Sequence, residues 1–193
     1  SKYRKDLPYW LISSYQQTAQ WDELLKYAEP IIGSYPDLAL LVAEVQFKEG
    51  QYAKAAKSFT DYLKDHKNDA AAYRKGFSLY SIEKYDDAIQ SVTGLLKEDS
   101  LGQKAYYLQG LALLKMGKKS EAAASFTKVG SLDQDPTLKE EAQFKSLSIS
   151  MDLGKWTEGL QAILQFGKNY PKSSFTAAYQ SLAADAILKL ATL

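Results

Sequence analysis

The chain has 193 residues, of which 46% are hydrophobic and 24% charged, the balance of an ordinary globular protein. Lysine and arginine (24) nearly equal aspartate and glutamate (23), so no overall charge excess would attract nucleic acid or an anionic membrane. With no cysteine and a single histidine, His66, the sequence excludes disulfides, a thiolate nucleophile and a zinc site built from cysteines or several histidines. No apolar run approaches the roughly 18 residues that a membrane-spanning helix needs.

One turn-and-helix pattern recurs along the chain. Each copy has a short turn, then a residue that opens a helix, then a small or apolar residue three positions later and another seven positions later. The opening position is held by Trp21, Tyr52, Tyr85, Lys119 and Trp156, at successive steps of 31, 33, 34 and 37 residues. Two short antiparallel helices cannot bury both of their faces alone, so this period predicts helical hairpins stacked on one another.

Taken in chain order, the pattern predicts five hairpins and a final helix. Residues Asn68 and Asp99 are expected N-cap residues, and Asp135 with Pro136 predicts a cap followed by a proline in the first helical turn. Pro30 lies inside the second helix of the first hairpin, which should kink or stop there. The hairpins are predicted over residues 5–35, 36–68, 69–101, 102–134 and 135–172, with the terminal helix over residues 173–193.

This pattern resembles the tetratricopeptide repeat (TPR) family over essentially the whole chain. The family's small residues, which let the two helices of a hairpin cross closely, appear as Ala43, Gly76 and Gly110 in first helices and as Ala55, Ala88, Ala122 and Gly159 in second helices. Lys119 departs from the family's aromatic residue after the turn. The resemblance implies an all-α, right-handed α-solenoid of about five repeats in a single domain, residues 1–193, that acts as a non-catalytic scaffold for protein–protein interaction.

Two short sequence segments resemble a narrower group of TPR proteins. Ser34-Tyr35-Pro36-Asp37 and Asn169-Tyr170-Pro171-Lys172-Ser173 each precede an Ala/Leu-rich helix, and look like repeats of bacterial cell-envelope TPR proteins. This favours a bacterial periplasm or cell envelope as the location, with the cytoplasm as the alternative.

In TPR proteins the first helices of successive hairpins line a concave groove, and the middle of the corresponding set here is aromatic and apolar. Such a groove would take a peptide or protein segment, since Tyr and Phe commonly anchor interfaces. For each residue the alternative is packing against the neighbouring helix. Arg74, Lys104 and Lys145 are expected to be isolated cations, which argues against a clamp for a peptide's terminal carboxylate. The predicted groove residues are Tyr9, Leu40, Glu44, Phe47, Tyr73, Phe77, Tyr80, Tyr107, Leu111, Leu114, Phe144 and Met151.

The chain carries no pattern typical of catalysis, a cofactor or a metal. The stretch from Gly117 to Ser120 lacks the first glycine of a phosphate-binding loop, and it joins two predicted helices. The expected partner is a protein or peptide, with neither nucleic acid nor membrane insertion. Two alternatives stay open: a helical accessory domain of a larger enzyme, or a module that self-associates through the groove or the terminal helix. In that helix Leu188 and Leu193 lie away from the apolar face, which makes its outer side less polar than a normal solenoid cap. The residues that fall at helical spacing on the apolar face are Tyr179, Leu182, Ala183, Ala186, Ile187 and Leu190.

Overall fold

The computed structural model describes residues 6–192, and the regular secondary structure of that part of the chain is entirely helical. The fold is therefore all-α, as the sequence predicts. The start of the first predicted hairpin at residue 5 and the end of the terminal helix at residue 193 lie outside the described residues. The helices are α1 Leu7–Gln17, α2 Trp21–Ala28, α3 Leu38–Lys48, α4 Tyr52–Tyr62, α5 Asp69–Ser81, α6 Tyr85–Thr93, α7 Ser100–Lys115, α8 Lys119–Gly130, α9 Pro136–Asp152, α10 Trp156–Asn169 and α11 Thr176–Ala191, with a 3-10 helix at Glu29–Ile31 after α2.

The described residues form two compact units, with the division between residues 91 and 92. The first contains α1 to α5 and most of α6. The second contains α7 to α11. One continuous domain of five repeats stays a prediction.

Side-chain caps begin three of the helices, at the positions that the sequence predicts. Asn68 accepts a hydrogen bond from the backbone N–H of Ala71 at 2.9 Å, and Asp99 accepts one from Gly102 at 2.7 Å. Asp135 accepts from both Thr137 and Leu138 at 3.0 Å. Each carboxylate or amide oxygen thus satisfies N–H groups that have no partner within the helix.

Pro30 also acts as its position predicts. The α-helix that begins at Trp21 ends at Ala28, and a 3-10 helix over Glu29–Ile31 follows. Proline cannot donate the hydrogen bond that would continue the α-helix, and its ring crowds the preceding turn.

Every hairpin turn contains one residue in the left-handed region of the backbone, two positions before the second helix begins. Gly50, Gly117 and Gly154 have φ of 69°, 76° and 73° there. The first and third turns use Ala19 at 54° and Glu83 at 63° instead. Glycine adopts this conformation without a steric penalty, whereas a side chain is strained by it.

The small residues of the repeat pattern are all buried. A Cβ atom added to Gly110 would lie 2.9 Å from Cε1 of the buried Phe126. One added to Gly159 would lie 2.2 Å from the sulfur of Met151. Larger side chains at these two positions would push the helices of a hairpin apart. The buried set is Ala43, Gly76, Gly110, Ala55, Ala88, Ala122 and Gly159.

Candidate functional site

In the first unit, the predicted groove residues lie on α1, α3 and α5, and most of them are half-buried. Tyr9, which is exposed, donates a hydrogen bond to Asp37 at 2.9 Å, and its ring meets that of Tyr35 edge-on at 5.6 Å. Leu40 packs against the buried cluster around Ala43 and Phe59. Burial raises the pKa of the Tyr73 hydroxyl. The half-buried members of the set are Leu40, Glu44, Phe47, Tyr73, Phe77 and Tyr80.

Phe47 and Phe77 touch each other while each retains some exposure. Their ring centroids lie 5.6 Å apart, and both rings also contact Tyr52, at 5.8 and 5.9 Å. Phe47 continues inward to the fully buried Phe59, 6.3 Å away. These rings therefore pack between helices and keep part of their surface exposed, and their role in a groove stays a prediction.

A cleft of about 390 Å³ opens beside this aromatic group, and we call it the Arg74 cleft. Its volume is within the range of pockets that accept a large side chain or a small ligand. Only Glu44 and Phe47 among its lining residues belong to the predicted groove set. The cleft is lined by Trp21, Glu44, Val45, Phe47, Lys48 and Arg74.

The charged residues of the Arg74 cleft are held in fixed relations. Arg74 donates from Nη1 to Glu44 Oε1 at 2.7 Å, and both side chains are partly exposed. Burial raises the pKa of Glu44, although the charge and hydrogen bond of Arg74 act in the opposite direction. Lys48 Nζ lies 3.8 Å from the centroid of the Trp21 ring, a cation–π contact. Two cations and one carboxylate leave the cleft with a local positive charge.

The pair of Glu44 and Arg74 corrects the expectation that Arg74 is an isolated cation. The two residues are 30 positions apart, which is the 33-residue repeat step less about one helical turn. Glu44 lies on α3 and Arg74 on α5, the first helices of adjacent hairpins, and this spacing brings the two side chains together. Lys145 is likewise paired, with its Nζ 3.4 Å from Glu141.

In the second unit, Tyr107, Leu111 and Leu114 lie half-buried on α7. The Tyr107 hydroxyl donates to the Glu141 carboxylate on α9, and the Tyr107 ring lies 5.5 Å from that of Phe126. Tyr107 therefore links two neighbouring first helices and packs on the core. Leu111 and Leu114 follow it along α7.

Met151 lies in the core of the second unit, and Phe144 packs against that core while partly exposed. Phe144 stacks on Phe175 with ring centroids 4.4 Å apart and planes 10° from parallel. Met151 is 2% exposed and packs over Gly159. With so little exposed surface, Met151 is a packing residue and not part of an accessible groove.

A second concavity of the same unit lies away from the predicted groove residues. It has a volume of about 360 Å³ and is formed by α8, α9 and α10. Its lining is uncharged and includes the hydroxyls of Thr127, Ser146 and Ser150 and the ring of Phe166. Thr127 and Ser146 are hydrogen-bonded to each other at 2.9 Å.

His66 lies in the loop after α4, against the last residue of that helix. Its ring stacks on Tyr62 with centroids 4.3 Å apart, and Nδ1 lies 2.9 Å from the Tyr62 carbonyl oxygen. Across residues 6–192, no three His, Cys, Asp or Glu side chains are grouped to hold a metal ion. Nor does that part of the chain contain a helix that is long and apolar enough to cross a membrane.

Comparison with protein families identifies the repeat. Residues 73–136 match the family described as "Tetratricopeptide repeat", and residues 17–95 match "Anaphase-promoting complex, cyclosome, subunit 3". The chain therefore contains sequence that matches the tetratricopeptide repeat, as the repeat pattern predicts. The two matches together span residues 17–136.

Relatives and solved structures are consistent with this family. A TPR repeat-containing protein of Methanocaldococcus jannaschii is 27% identical to this chain over 141 residues, which are 72% of this chain. The chain spans only 24% of the length of that relative. A TPR protein from Parabacteroides merdae superposes with a TM-score of 0.69 at 15% identity, covering 96% of this chain and 73% of the other. MamA from Desulfovibrio magneticus gives 0.70 at 18% identity, covering 88% and 96%. At such identities the likeness shows the fold.

Proposed function

We propose that this TPR chain is a non-catalytic scaffold that binds a segment of a partner protein at the first-helix faces, with the Arg74 cleft as the principal anchor. Stacked helical hairpins commonly serve as extended surfaces for protein partners, since each repeat adds its own side chains to the surface. The single observation that carries the proposal is the Arg74 cleft, which combines an apolar floor with cations.

The chemistry of the cleft favours a particular kind of segment. Trp21 and Phe47 provide an apolar floor that suits a large aliphatic or aromatic side chain. Arg74 uses one N–H for Glu44, and a guanidinium group has five N–H donors in all. The remaining donors of Arg74 and the ammonium of Lys48 suit an acidic group. The segment we propose therefore presents a large apolar side chain beside a carboxylate.

The near-neutral composition supports a protein partner over nucleic acid, because a basic surface dominates affinity for phosphates. On α7, Tyr107, Leu111 and Leu114 form a second first-helix face that can take part in binding. The alternative of a helical accessory domain in a larger enzyme leaves this binding role unchanged. In that alternative, the catalytic residues would lie in another part of the larger enzyme.

The test begins with peptides selected from a displayed random library against the whole chain. Fluorescence polarisation then compares their affinity for the wild type, for Arg74→Ala and for Lys64→Ala, an exposed cation outside the cleft. We expect the Arg74 variant to lose about tenfold or more, since a hydrogen bond to a charged group contributes about 1.5–3 kcal/mol. The Lys64 variant should bind as the wild type does.

A second step asks whether a natural partner uses the cleft. A photo-reactive amino acid at Glu49, beside the lining residue Lys48, should cross-link to a discrete protein in extracts of the source cells. The selected peptide should compete for this product, and the Arg74→Ala background should remove it. Selected peptides that bind the Arg74 variant with undiminished affinity would show that recognition occurs elsewhere.

A further inference from the structure

The concavity that α8, α9 and α10 form in the second unit has a volume of about 360 Å³, and we call it the Ser146 cavity. From α9 it is lined by Gln143, Ser146 and Ser150, which are spaced by three and four residues and therefore lie along one side of the helix. The C-terminal halves of α8 and α10 contribute Thr127 and Gln165. This volume is within the range of pockets that hold small molecules, about 300–1,000 Å³.

None of the residues that line the Ser146 cavity is ionisable, and all of them belong to the described part of the chain. The first unit has two pockets at the corresponding place in its hairpins, and both carry charges. The pocket that α3 and α4 share with the 3-10 helix is lined in part by Glu29, Lys54 and Lys57. The pocket formed by α4, α5 and α6 includes Lys75 and Asp87. The Ser146 cavity is thus a neutral site at a position that is charged in other hairpins.

The side-chain amides of this cavity keep unused hydrogen-bonding capacity. Gln143 donates from Nε2 to the carbonyl oxygen of Gly130 at 2.9 Å. Gln165 donates from Nε2 to Asn169 Oδ1, also at 2.9 Å. Within residues 6–192, the Oε1 atoms of the two glutamines accept no hydrogen bond, and the side-chain N–H groups of Asn169 donate none. A ligand that covers these groups must therefore supply both donors and acceptors.

We propose that the Ser146 cavity binds a neutral, hydroxyl-rich molecule of the sugar class, a role separate from that of the Arg74 cleft. A charged ligand would lose its water of hydration there without gaining a counter-charge. An entirely apolar ligand would cover the amide groups and leave them without partners. A hydroxyl both donates and accepts, so it can pair with a glutamine oxygen or an asparagine N–H. The C–H edges of a sugar ring suit Leu147 and Phe166, which also line the cavity and are each 3% exposed.

Three sugars with the same ring and different charges test whether the ligand is neutral: glucose, glucosamine and glucuronate. Each is titrated into the isotope-labelled whole chain at slightly acidic pH, where the amine is protonated and the carboxylate is ionised, and the backbone N–H signals are followed by NMR. N-acetylglucosamine and maltose extend the neutral set. We expect the signals of Thr127, Ser146 and Ser150 to shift saturably with at least one neutral sugar. The charged sugars should bind about tenfold more weakly, or less tightly still.

Two variants at exposed residues of the cavity change its volume and its charge. Ala162→Trp fills the cavity and should abolish the saturable shifts, whereas Ala184→Trp, at an exposed alanine of α11 outside the cavity, should leave them unchanged. Gln165→Glu keeps the shape of the side chain and adds a negative charge. This variant should bind glucosamine about threefold more tightly than the wild type does, the gain of a solvent-exposed ion pair.

Three results would overturn the proposal. The lack of a saturable shift with every neutral sugar would show that the cavity does not bind this class of ligand. Equal affinity for the neutral and the charged sugars would show that charge plays no part in selection. Sugar binding that survives in the Ala162 variant would place the ligand on another surface. Circular dichroism of each variant confirms that the helices are retained.

Discussion

Gln103 and Asp135 are joined across the loop between α8 and α9 by a hydrogen bond in which the Asp135 backbone N–H donates to Gln103 Oε1 at 2.7 Å. Gln103 is completely buried, and its Nε2 donates to the carbonyl oxygens of Val129 at 3.2 Å and Leu132 at 3.1 Å. One side chain therefore satisfies several backbone groups of this loop. The longest step of the repeat, 37 residues, does not come from this loop, which has five residues (131–135) where the loop between α6 and α7 has six (94–99). It comes from α8 and α9, which are longer than α6 and α7.

Replacing Gln103 by leucine should destabilise the chain strongly. The substitution removes the hydrogen bonds that Gln103 makes to the Asp135 N–H and to the Leu132 carbonyl oxygen, and one of the two that the Val129 carbonyl oxygen accepts. We expect a loss of about 3 kcal/mol in the free energy of unfolding. Urea denaturation followed by circular dichroism measures it. Gln134→Leu, at an exposed position of the same loop, serves as the control and should change little. Equal stabilities of the two variants would show that the Gln103 network contributes nothing.

Glu83→Gly should stabilise the chain. Glu83 has a φ of 63° in a turn whose counterparts use Gly50, Gly117 and Gly154. Relief of the left-handed strain outweighs the greater backbone entropy of glycine in the unfolded chain, for a net gain of about 0.5–1 kcal/mol. Thermal unfolding should shift upward accordingly. Lys118→Gly, whose native φ is −81°, provides the comparison and should destabilise.

Gly110→Ala should destabilise despite its position inside a helix. Alanine normally gains about 1 kcal/mol over glycine there, but the new Cβ would lie 2.9 Å from the buried Phe126 ring. Overpacking of this kind costs about 1–3 kcal/mol, so the balance is a net loss of about 1 kcal/mol. Gly94→Ala meets no atom within 4 Å and should be close to neutral by chemical denaturation. A stabilised Gly110 variant would contradict the close crossing of α7 and α8.

Glu44→Gln should change how stability depends on pH. Burial raises the pKa of Glu44 above its ordinary value of 4.5, so the folded chain holds this proton more tightly than the unfolded chain does. The contribution of Glu44 to the free energy of unfolding therefore falls as pH rises from 4.5 through the raised value. Relative to the wild type, the Gln variant should gain stability as the pH rises from 4.5 through that raised pKa. In the Arg74→Ala background the same gain should be larger, because the charge that opposes the shift is gone.

The helical hairpins were predictable because their signals are local. A cap such as Asn68, a breaker such as Pro30 and small residues at fixed offsets act within one or two helical turns. Their effects depend little on the rest of the chain. The ion pair of Glu44 with Arg74 has no such signal, since it requires the axial offset between two neighbouring helices. Its 30-residue spacing becomes informative only when that offset is known.

For the candidate site as well, the sequence predicts which helix carries a residue but not whether that residue is exposed. Periodicity places Phe47, Phe144 and Met151 on first helices, and it cannot tell which face of a helix a neighbour will cover. Phe47 retains an exposed edge beside the Arg74 cleft, whereas Phe144 stacks on Phe175 and Met151 is 2% exposed. These two residues of α9 are covered by α10 and by Phe175, which immediately precedes α11.

The sequence alone determined the all-α fold, the repeat and the positions of its turns, because the periods of apolar and small residues and the capping chemistry are properties of short segments. Tertiary structure decided which predicted groove residues keep an accessible surface, how Arg74 and Glu44 meet, and that α11 leaves Ile187 and Leu188 exposed. Those outcomes follow from the packing of whole helices, in which a shift of one turn changes the neighbours of every side chain on a face.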